Sequence, residues 1–293
     1  LQPGEKSAYY SLGLSLRRLE KYDEALEAFQ RVMDADPAHA DAYNSCGSTL
    51  AAMGQYQAAI YLYEKALKIN PLLGEAYLNM GLALYDLKRY EEALDCYQKV
   101  LSFGGAPADV YYHMANALNE LRRHAEAIGF YEQALAQGYD TPEMRLNQVT
   151  AYSHQGDKQK TVQLLQEFVA DHPDHVDAHI ALSDGYRQLN QYTLAVECAE
   201  RVLQMRPGMV SALNLRGLAL YDMGLYEQAL ASFDEALKAD ENFVTARFHR
   251  GHALTALKRN QEAADTYAAV LNVEPDYPYA LGYLVHTQLQ LCQ

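Results

Sequence analysis

The sequence predicts an all-α chain, an α-solenoid of eight helix-turn-helix repeats followed by one further helix. Two observations carry this. The segment "YYSLGLSLRRLEKYDEALEAF" at 9–29 returns as "YNSCGSTLAAMGQYQAAIYLY" at 43–63 and as "YLNMGLALYDLKRYEEALDCY" at 77–97, each time after 34 residues. Within that period, aromatic, small and proline residues hold fixed phases along the whole chain, and chance does not keep four phases locked over such a span.

The elements follow in order. In the first repeat, 6–39, helix A carries Tyr9, Leu12, Gly13 and Leu16. A tight turn follows near Leu19–Tyr22, and helix B carries Ala25 and Phe29 before Pro37. Small residues at Gly13 and Ala25 let A and B approach closely, and the aromatics fill the space between layers. Proline stops helix B because it lacks an N–H and clashes with the preceding turn. Repeat two, 40–73, has the same plan with Tyr43, Gly47, Ala59, Tyr63 and Pro71. Repeat three, 74–107, keeps Tyr77, Gly81, Ala93 and Tyr97 but ends on "FGG" at 103–105, read as a helix-ending turn. Repeat four, 108–141, keeps Tyr111, Ala127 and Tyr131. Repeat five, 142–175, departs, with Arg145, Val149, Thr161 and Leu165 at the four phases. Repeats six to eight, 176–209, 210–243 and 244–277, return to pattern through Ala195, Pro207, Gly217, Ala229, Gly251, Ala263 and Pro275. Residues 1–5 form a short flank. Residues 278–293, ending "LGYLVHTQLQLCQ", form a ninth helix A without a partner, either a cap or a junction. One helix pair cannot bury its apolar face, so stability comes from stacking neighbours.

Composition narrows the function. A net charge of −14 opposes nucleic-acid binding, which needs a basic face, and adsorption to an anionic leaflet. No stretch has the length and apolarity of a membrane span. Cys46, Cys96, Cys198 and Cys292 are far apart with no C-x-x-C pair, so they read as reduced thiols of a cytoplasmic-type protein. The first residue is Leu1 rather than Met, so native sequence upstream is expected to be missing. Tyrosine abundance is scaffold in large part: thirteen of the 24 lie at the Tyr9, Phe29 and turn phases.

The pattern Tyr9-x-x-Leu12-Gly13-x-x-Leu16, then Ala25-x-x-x-Phe29, then Pro37, resembles the tetratricopeptide (TPR) family, with Tyr for Trp and Leu for Tyr. The resemblance implies a right-handed superhelix whose concave groove is lined by helix A, at the phases of Ser7, Tyr10, Ser11, Leu14, Arg17 and Arg18. It implies a scaffold that binds protein or peptide segments. The Ser11 phase carries Ser45, Asn79, His113, Asn147 and His249 among others. Asparagine is a poor mid-helix residue, and its amide can donate to and accept from a bound backbone. Asn79, His113 and Asn147, joined by Asn116 and Asn119, are therefore candidate peptide ligands, against the simpler reading of a solvated polar face. Tyr85, Tyr112 and Tyr221 are candidate anchors, though packing along helix A also explains such side chains. Asp41, Glu75, Asp109, Glu143 and Asp177 share the Ser7 phase. They suit a helix's first turn, and stacked they favour basic or unstructured ligands. TPR clamps for acidic chaperone tails need Lys and Asn where this chain has Tyr10 and Leu14, so that ligand does not fit.

No catalytic motif appears: there is no phosphate-cradling glycine loop, no G-x-S-x-G and no H-E-x-x-H. "DHPDHVDAH" at 171–179 places His175 and His179 four apart, but Pro173 and His179 already hold structural phases. No metal, cofactor or catalytic residue is assigned. The groove asparagines and the segment "YALGYLVHTQLQLCQ" at 279–293 resemble the TPR region of O-GlcNAc-transferase-like (SPINDLY-related) glycosyltransferases. There a His-containing, Leu-rich helix runs into Cys-Asp-Trp and the catalytic region. Cys292 matches and Gln293 departs. This leaves two readings open: a substrate-recognition array whose catalytic region lies outside the chain, or a free-standing adaptor. A homo-oligomer is left open as well.

Val149 and Thr161 place branched side chains where helices normally touch, which is either drift in a redundant array or a soft interface about which the two halves flex. The hinge reading expects amides of 142–175 to exchange with solvent faster than those of 40–73, and equal protection in native-state hydrogen exchange removes it.

Overall fold

A computed structural model describes residues 3–105 and 107–291, with side chains from Glu5 onward. All regular structure among these residues is α-helical. The chain divides into two compact units, 1–155 and 156–293, with the division inside repeat five. Unit 1 holds α1 (Pro3–Arg18), α2 (Tyr22–Ala35), α3 (Ala40–Ala52), α4 (Tyr56–Ile69), α5 (Gly74–Asp86), α6 (Tyr90–Ser102), α7 (Ala108–Glu120), α8 (His124–Ala136) and α9 (Pro142–Gln155). Unit 2 holds α10 (Lys158–Asp171), α11 (Val176–Gln188), α12 (Tyr192–Met205), α13 (Val210–Asp222), α14 (Tyr226–Ala239), α15 (Val244–Ala256), α16 (Asn260–Val273) and α17 (Ala280–Leu291). Cys292 and Gln293, on which the junction resemblance partly rests, lie outside the described residues. Within each unit every helix packs on the next, and helices A of neighbouring repeats also touch. No helix is long and apolar enough to cross a membrane among the described residues.

The pairing of A with B rests on one contact. A Cβ placed on Gly13, Gly47, Gly81, Gly217 or Gly251 would lie 2.4–2.7 Å from the ring of Phe29, Tyr63, Tyr97, Phe233 or Tyr267, sixteen residues later in each case. Those rings are fully buried or nearly so. Glycine is the residue that admits a ring this close to the backbone. Behind the ring, Ala25, Ala59, Ala93, Ala127, Ala195, Ala229 and Ala263 are all 0% exposed, leaving helix B no room for a larger side chain. Repeat six solves the approach differently: Ser183 stands at the glycine phase and its Oγ donates to the Ala195 carbonyl at 2.8 Å. The ring there is replaced by Ala199.

The turn from A to B is also uniform. Glu20, Gly54, Lys88, Arg122, Gly156, Asn190, Gly224 and Lys258, one per repeat, all have positive φ between 58° and 87°. The following N–H reaches back five residues, as in Lys21 to Leu16, Gln55 to Leu50, Arg89 to Leu84 and Arg259 to Leu254, each at 2.9 Å. This is the Schellman arrangement, which satisfies carbonyls otherwise orphaned at a helix end. Four charged residues adopt a conformation disfavoured for L-residues, so the closure of A on B outweighs the local backbone preference.

Helix B stops two residues before Pro37, Pro71, Pro173, Pro207 and Pro275. Proline is not needed for this, because α14 stops at the same phase before Glu241. Asp36, Asn70 and Asp240 accept a bond from the backbone N–H two residues on, and this local turn competes with continued helix.

The ring contact makes glycines unequal. Gly81→Ala is expected to destabilise by about 1–3 kcal/mol, because the Tyr97 ring cannot retreat. Gly129→Ala, in α8 with nothing within 4 Å of its Cβ, is expected to stabilise by about 0.5–1 kcal/mol through helix propensity. Thermal melts of the two variants in parallel check both signs.

Candidate peptide-binding face

Helix A presents the Tyr10, Ser11 and Leu14 phases side by side, and hydrogen bonds knit them into rungs. The residue at the Ser11 phase bonds back to the Tyr10 phase of the preceding repeat, 35 positions earlier. Tyr10 Oη lies 3.0 Å from Ser45 Oγ. Asn79 Nδ2 donates to Asn44 Oδ1 at 3.1 Å, and Asn147 Nδ2 donates to the Tyr112 hydroxyl at 3.3 Å. In unit 2, His249 Nδ1 lies 2.9 Å from Asn214 Oδ1. Ile180 and Leu215 form an apolar pair at the same two phases, whereas Leu78 is matched by His113.

A second bond couples each rung to the layer beneath. Asn79 Nδ2 also donates to Ser48 Oγ at 3.1 Å, which accepts from the Tyr63 hydroxyl at 3.4 Å. Two repeats on, Asn147 Nδ2 donates to Asn116 Oδ1 at 3.2 Å, which accepts from the Tyr131 hydroxyl at 2.6 Å. Both amide protons of Asn79 and of Asn147 are thus committed inside the chain, and each side chain keeps its Oδ1 as an acceptor. The ring beneath follows the same logic. Phe29 and Phe233 sit under Leu14 and Leu218, whereas Tyr63, Tyr131 and Tyr267 meet Ser48, Asn116 and His252. Tyr97 is the exception: Leu82 stands at the partner phase, and the buried Tyr97 hydroxyl has no hydrogen-bond partner.

Of the residues singled out in the sequence, Tyr112, His113, Asn116 and Asn147 are brought together. Asn79 belongs to a separate, equivalent cluster with Asn44 and Ser48. Asn119 turns away to His124, 2.6 Å from its Nδ1, beside His154 in a cleft of about 430 Å³. Tyr85 packs edge-on against Tyr90. Tyr221 lies in unit 2 beside Tyr226, close to His252. The sequence reading did not single out Asn44 and Asn214, whose partners Asn79 and His249 lie 35 residues on, or Ser48, whose partner Asn79 lies 31 residues on, because neither spacing is the 34-residue period. Nor did it find the aromatic cluster of Phe248, His252, Tyr277 and Tyr283 in unit 2.

Burial disfavours the charged forms of the tyrosines and histidines on this face. It pushes Tyr85 up to about 12, with Glu120 adding to the effect, and raises Tyr112 as well. It holds His113 below the usual histidine range. His249 is pushed down to about 4 by burial first, and then by His252 and Arg187. The charge sits at the rim instead: Asp41, Glu75, Asp109 and Glu143 occupy the first turns of α3, α5, α7 and α9. None of the four is in an ion pair among the described residues.

The histidines at 171–179 are spent structurally. His175 Nδ1 accepts from the Ala178 N–H and caps α11, and His179 Nε2 lies 2.9 Å from the Pro173 carbonyl oxygen. No group of three or more potential ligands is arranged for a metal among the described residues. Cys46, Cys96 and Cys198 are free thiols, pushed by burial up to about 11, 12 and 11.

Tetratricopeptide repeat models match residues 10–73, 74–103, 112–176, 146–209, 180–241 and 214–280. The chain belongs to the tetratricopeptide repeat family. Among curated relatives, the DnaJ homolog subfamily C member 7 homolog of Schizosaccharomyces pombe is 31% identical over 99 residues, 30% of this chain and 21% of that protein. The probable UDP-N-acetylglucosamine–peptide N-acetylglucosaminyltransferase SPINDLY of Petunia hybrida is 31% identical over 98 residues, 33% of this chain and 10% of that protein. The matches thus span about a fifth and a tenth of those relatives' lengths. A TPR repeat-containing protein from Cytophaga hutchinsonii superimposes with a TM-score of 0.68 at 15% identity, over 81% of this chain and 98% of that one.

The two tyrosine environments make opposite predictions. Tyr131→Phe removes a satisfied hydroxyl and is expected to cost about 1 kcal/mol, whereas Tyr97→Phe removes an orphaned one and is expected to be neutral or to stabilise by about 1 kcal/mol. Chemical denaturation of both variants checks the contrast, and equal losses at the two sites would remove the assignment of the Tyr131–Asn116 bond as net stabilising.

Proposed function

We propose that unit 1 holds extended polypeptide along its helix-A face, with the Oδ1 atoms of Asn79 and Asn147 accepting backbone N–H groups of the guest. One observation carries this reading. Two asparagines, two repeats apart, have both amide protons tied down in equivalent networks, so each presents a fixed acceptor. A fixed acceptor recognises main chain without reading side chains. His113, half-buried, adds surface near Asn147, and the acids at the rim, none of them ion-paired among the described residues, favour guests carrying Lys or Arg. TPR arrays use such surfaces as protein-interaction scaffolds.

The finer reading is that the array serves as the substrate-recognition region of an O-GlcNAc-transferase-like glycosyltransferase acting in the cytoplasm. The 31% match to SPINDLY over 98 residues and the resemblance of 279–293 to a junction helix support it. On this reading, chemistry belongs to a catalytic region beyond Gln293, and the chain itself is not the enzyme. The full reading frame tests this part: a stop codon within a few residues of Gln293 removes it.

For the groove, the double variant Asn79→Ala with Asn147→Ala is expected to weaken binding of a labelled, Lys-containing unstructured peptide by about tenfold, roughly 1.4 kcal/mol. It also lowers the melting temperature, because the rungs are lost. Tyr131→Phe strains the same network while keeping the Asn147 acceptor, and is expected to leave affinity unchanged. Fluorescence anisotropy separates the effects. If Tyr131→Phe weakens binding as much as the double variant does, the asparagines are scaffold rather than ligands.

A further inference from the structure

The third and fourth repeats meet across a loop that departs from its neighbours. Helix α6 ends at Ser102, Phe103 caps it, and Gly104 and Gly105 both take positive φ, 78° and 66°. A Cβ on either glycine would meet nothing within 4 Å. Crowding therefore does not disfavour side chains there; the backbone conformation does. The absence of those side chains leaves a hollow of about 360 Å³, walled by Leu72, Leu78, Val100, Phe103 and Pro107. Glu75 supplies the one charged group among its lining residues.

Three features mark this hollow as more than a packing gap. Leu72 is 73% exposed and Phe103 39% exposed, so two large apolar side chains stand in water on its walls. Glu75, Leu78 and Asn79 share one face of α5, at i, i+3 and i+4. The hollow is therefore one helical turn from the acceptor that Asn79 presents, and a chain held by that acceptor runs past its mouth. Glu75 is exposed and not ion-paired among the described residues, and Asp109 follows in the first turn of α7, two residues beyond Pro107. One Asp109 carboxylate oxygen is buried without a hydrogen-bond partner. The apolar wall thus comes with a negative rim and no cation of its own.

We propose that this hollow is a side-chain pocket for the bound polypeptide: it takes one large apolar residue, and Glu75 pairs with a Lys or Arg two positions away on the same side of the extended guest. The proposal rests on the groove reading above and gives it sequence preference. In an extended chain, alternate side chains point the same way, so an apolar residue in the hollow places its i±2 neighbours toward the rim. Burying the guest side chain also covers Leu72 and Phe103, and removal of that apolar area from water drives binding. The carboxylate then selects among apolar guests by charge.

The test uses the full chain and labelled Gly-Ser peptides with the cores Lys-Ser-Leu-Ser-Lys, Lys-Ser-Ser-Ser-Lys and Glu-Ser-Leu-Ser-Glu, read by anisotropy at low and high salt. The first is expected to bind about tenfold tighter than either of the others. Leu72→Ser is expected to abolish the advantage of Leu over Ser. Glu75→Gln is expected to abolish much of the advantage of Lys over Glu, as high salt does. Both side chains are exposed, so both variants are expected to melt with the wild type. Equal affinity of wild type for the Leu and Ser cores overturns the pocket while the groove reading stands. A Leu preference that survives Leu72→Ser also overturns it. If none of the three peptides binds, the pocket and the groove reading fall together.

Discussion

The approach of a buried ring to a position on helix A that has no side chain sets the spacing between the two helices of a repeat, and other features of the repeat depend on that spacing. With Phe29 against Gly13 or Tyr97 against Gly81, helix A lies close enough for its turn to close in the left-handed conformation, even at Glu20 and Lys88. The same closeness brings the tyrosine hydroxyl under helix A, where Ser48, Asn116 or His252 meets it. The polar rungs are thus a second-order product of an apolar contact. They join neighbouring repeats, while burial of the ring removes apolar area from water. Repeat six shows the constraint from its other side: without a ring at Ala199, a serine hydroxyl bridges the gap to helix B.

Architecture was legible in the sequence because it is written in residue size at fixed phases. Tyr9, Gly13, Ala25 and Phe29 declare it by themselves. The turn was located near Leu19–Tyr22, but its conformation was not, because Glu20, Lys88, Arg122 and Lys258 carry none of the usual signals for positive φ. Tertiary closure overrides propensity there. Proline looked like the device that ends helix B, yet α14 ends without it, and the side chains of Asp36, Asn70 and Asp240 share that task. The candidate site was partly legible. Asn79 and Asn147 stood out as unusual mid-helix residues, whereas their partners Asn44, Ser48 and Tyr112 occupy other phases. A contact 35 or 31 residues away is invisible to a search at 34.

The structure also narrows what the asparagines can contribute. As isolated residues they offer a donor and an acceptor. Placed in their networks, they offer an acceptor held in one orientation, and the preorganisation reduces the ordering cost of binding. Burial disfavours the charged forms of His113 and His249, and acids gather at the helix starts, where they also complement the helix dipoles. The fixed amide acceptors and the acidic groups therefore occupy different turns of the same helices.

No side-chain hydrogen bond described above reaches beyond 35 residues, so order is passed from neighbour to neighbour. Chains with such local contacts close small loops and fold quickly. The same locality lets them open piecewise, starting at whichever end or layer is weakest. On the proposed function, a guest lying across several helices A would supply the long-range link that the covalent chain lacks. Its binding would then act as a splint, and the cooperativity of unfolding would become a property of the complex rather than of the array alone.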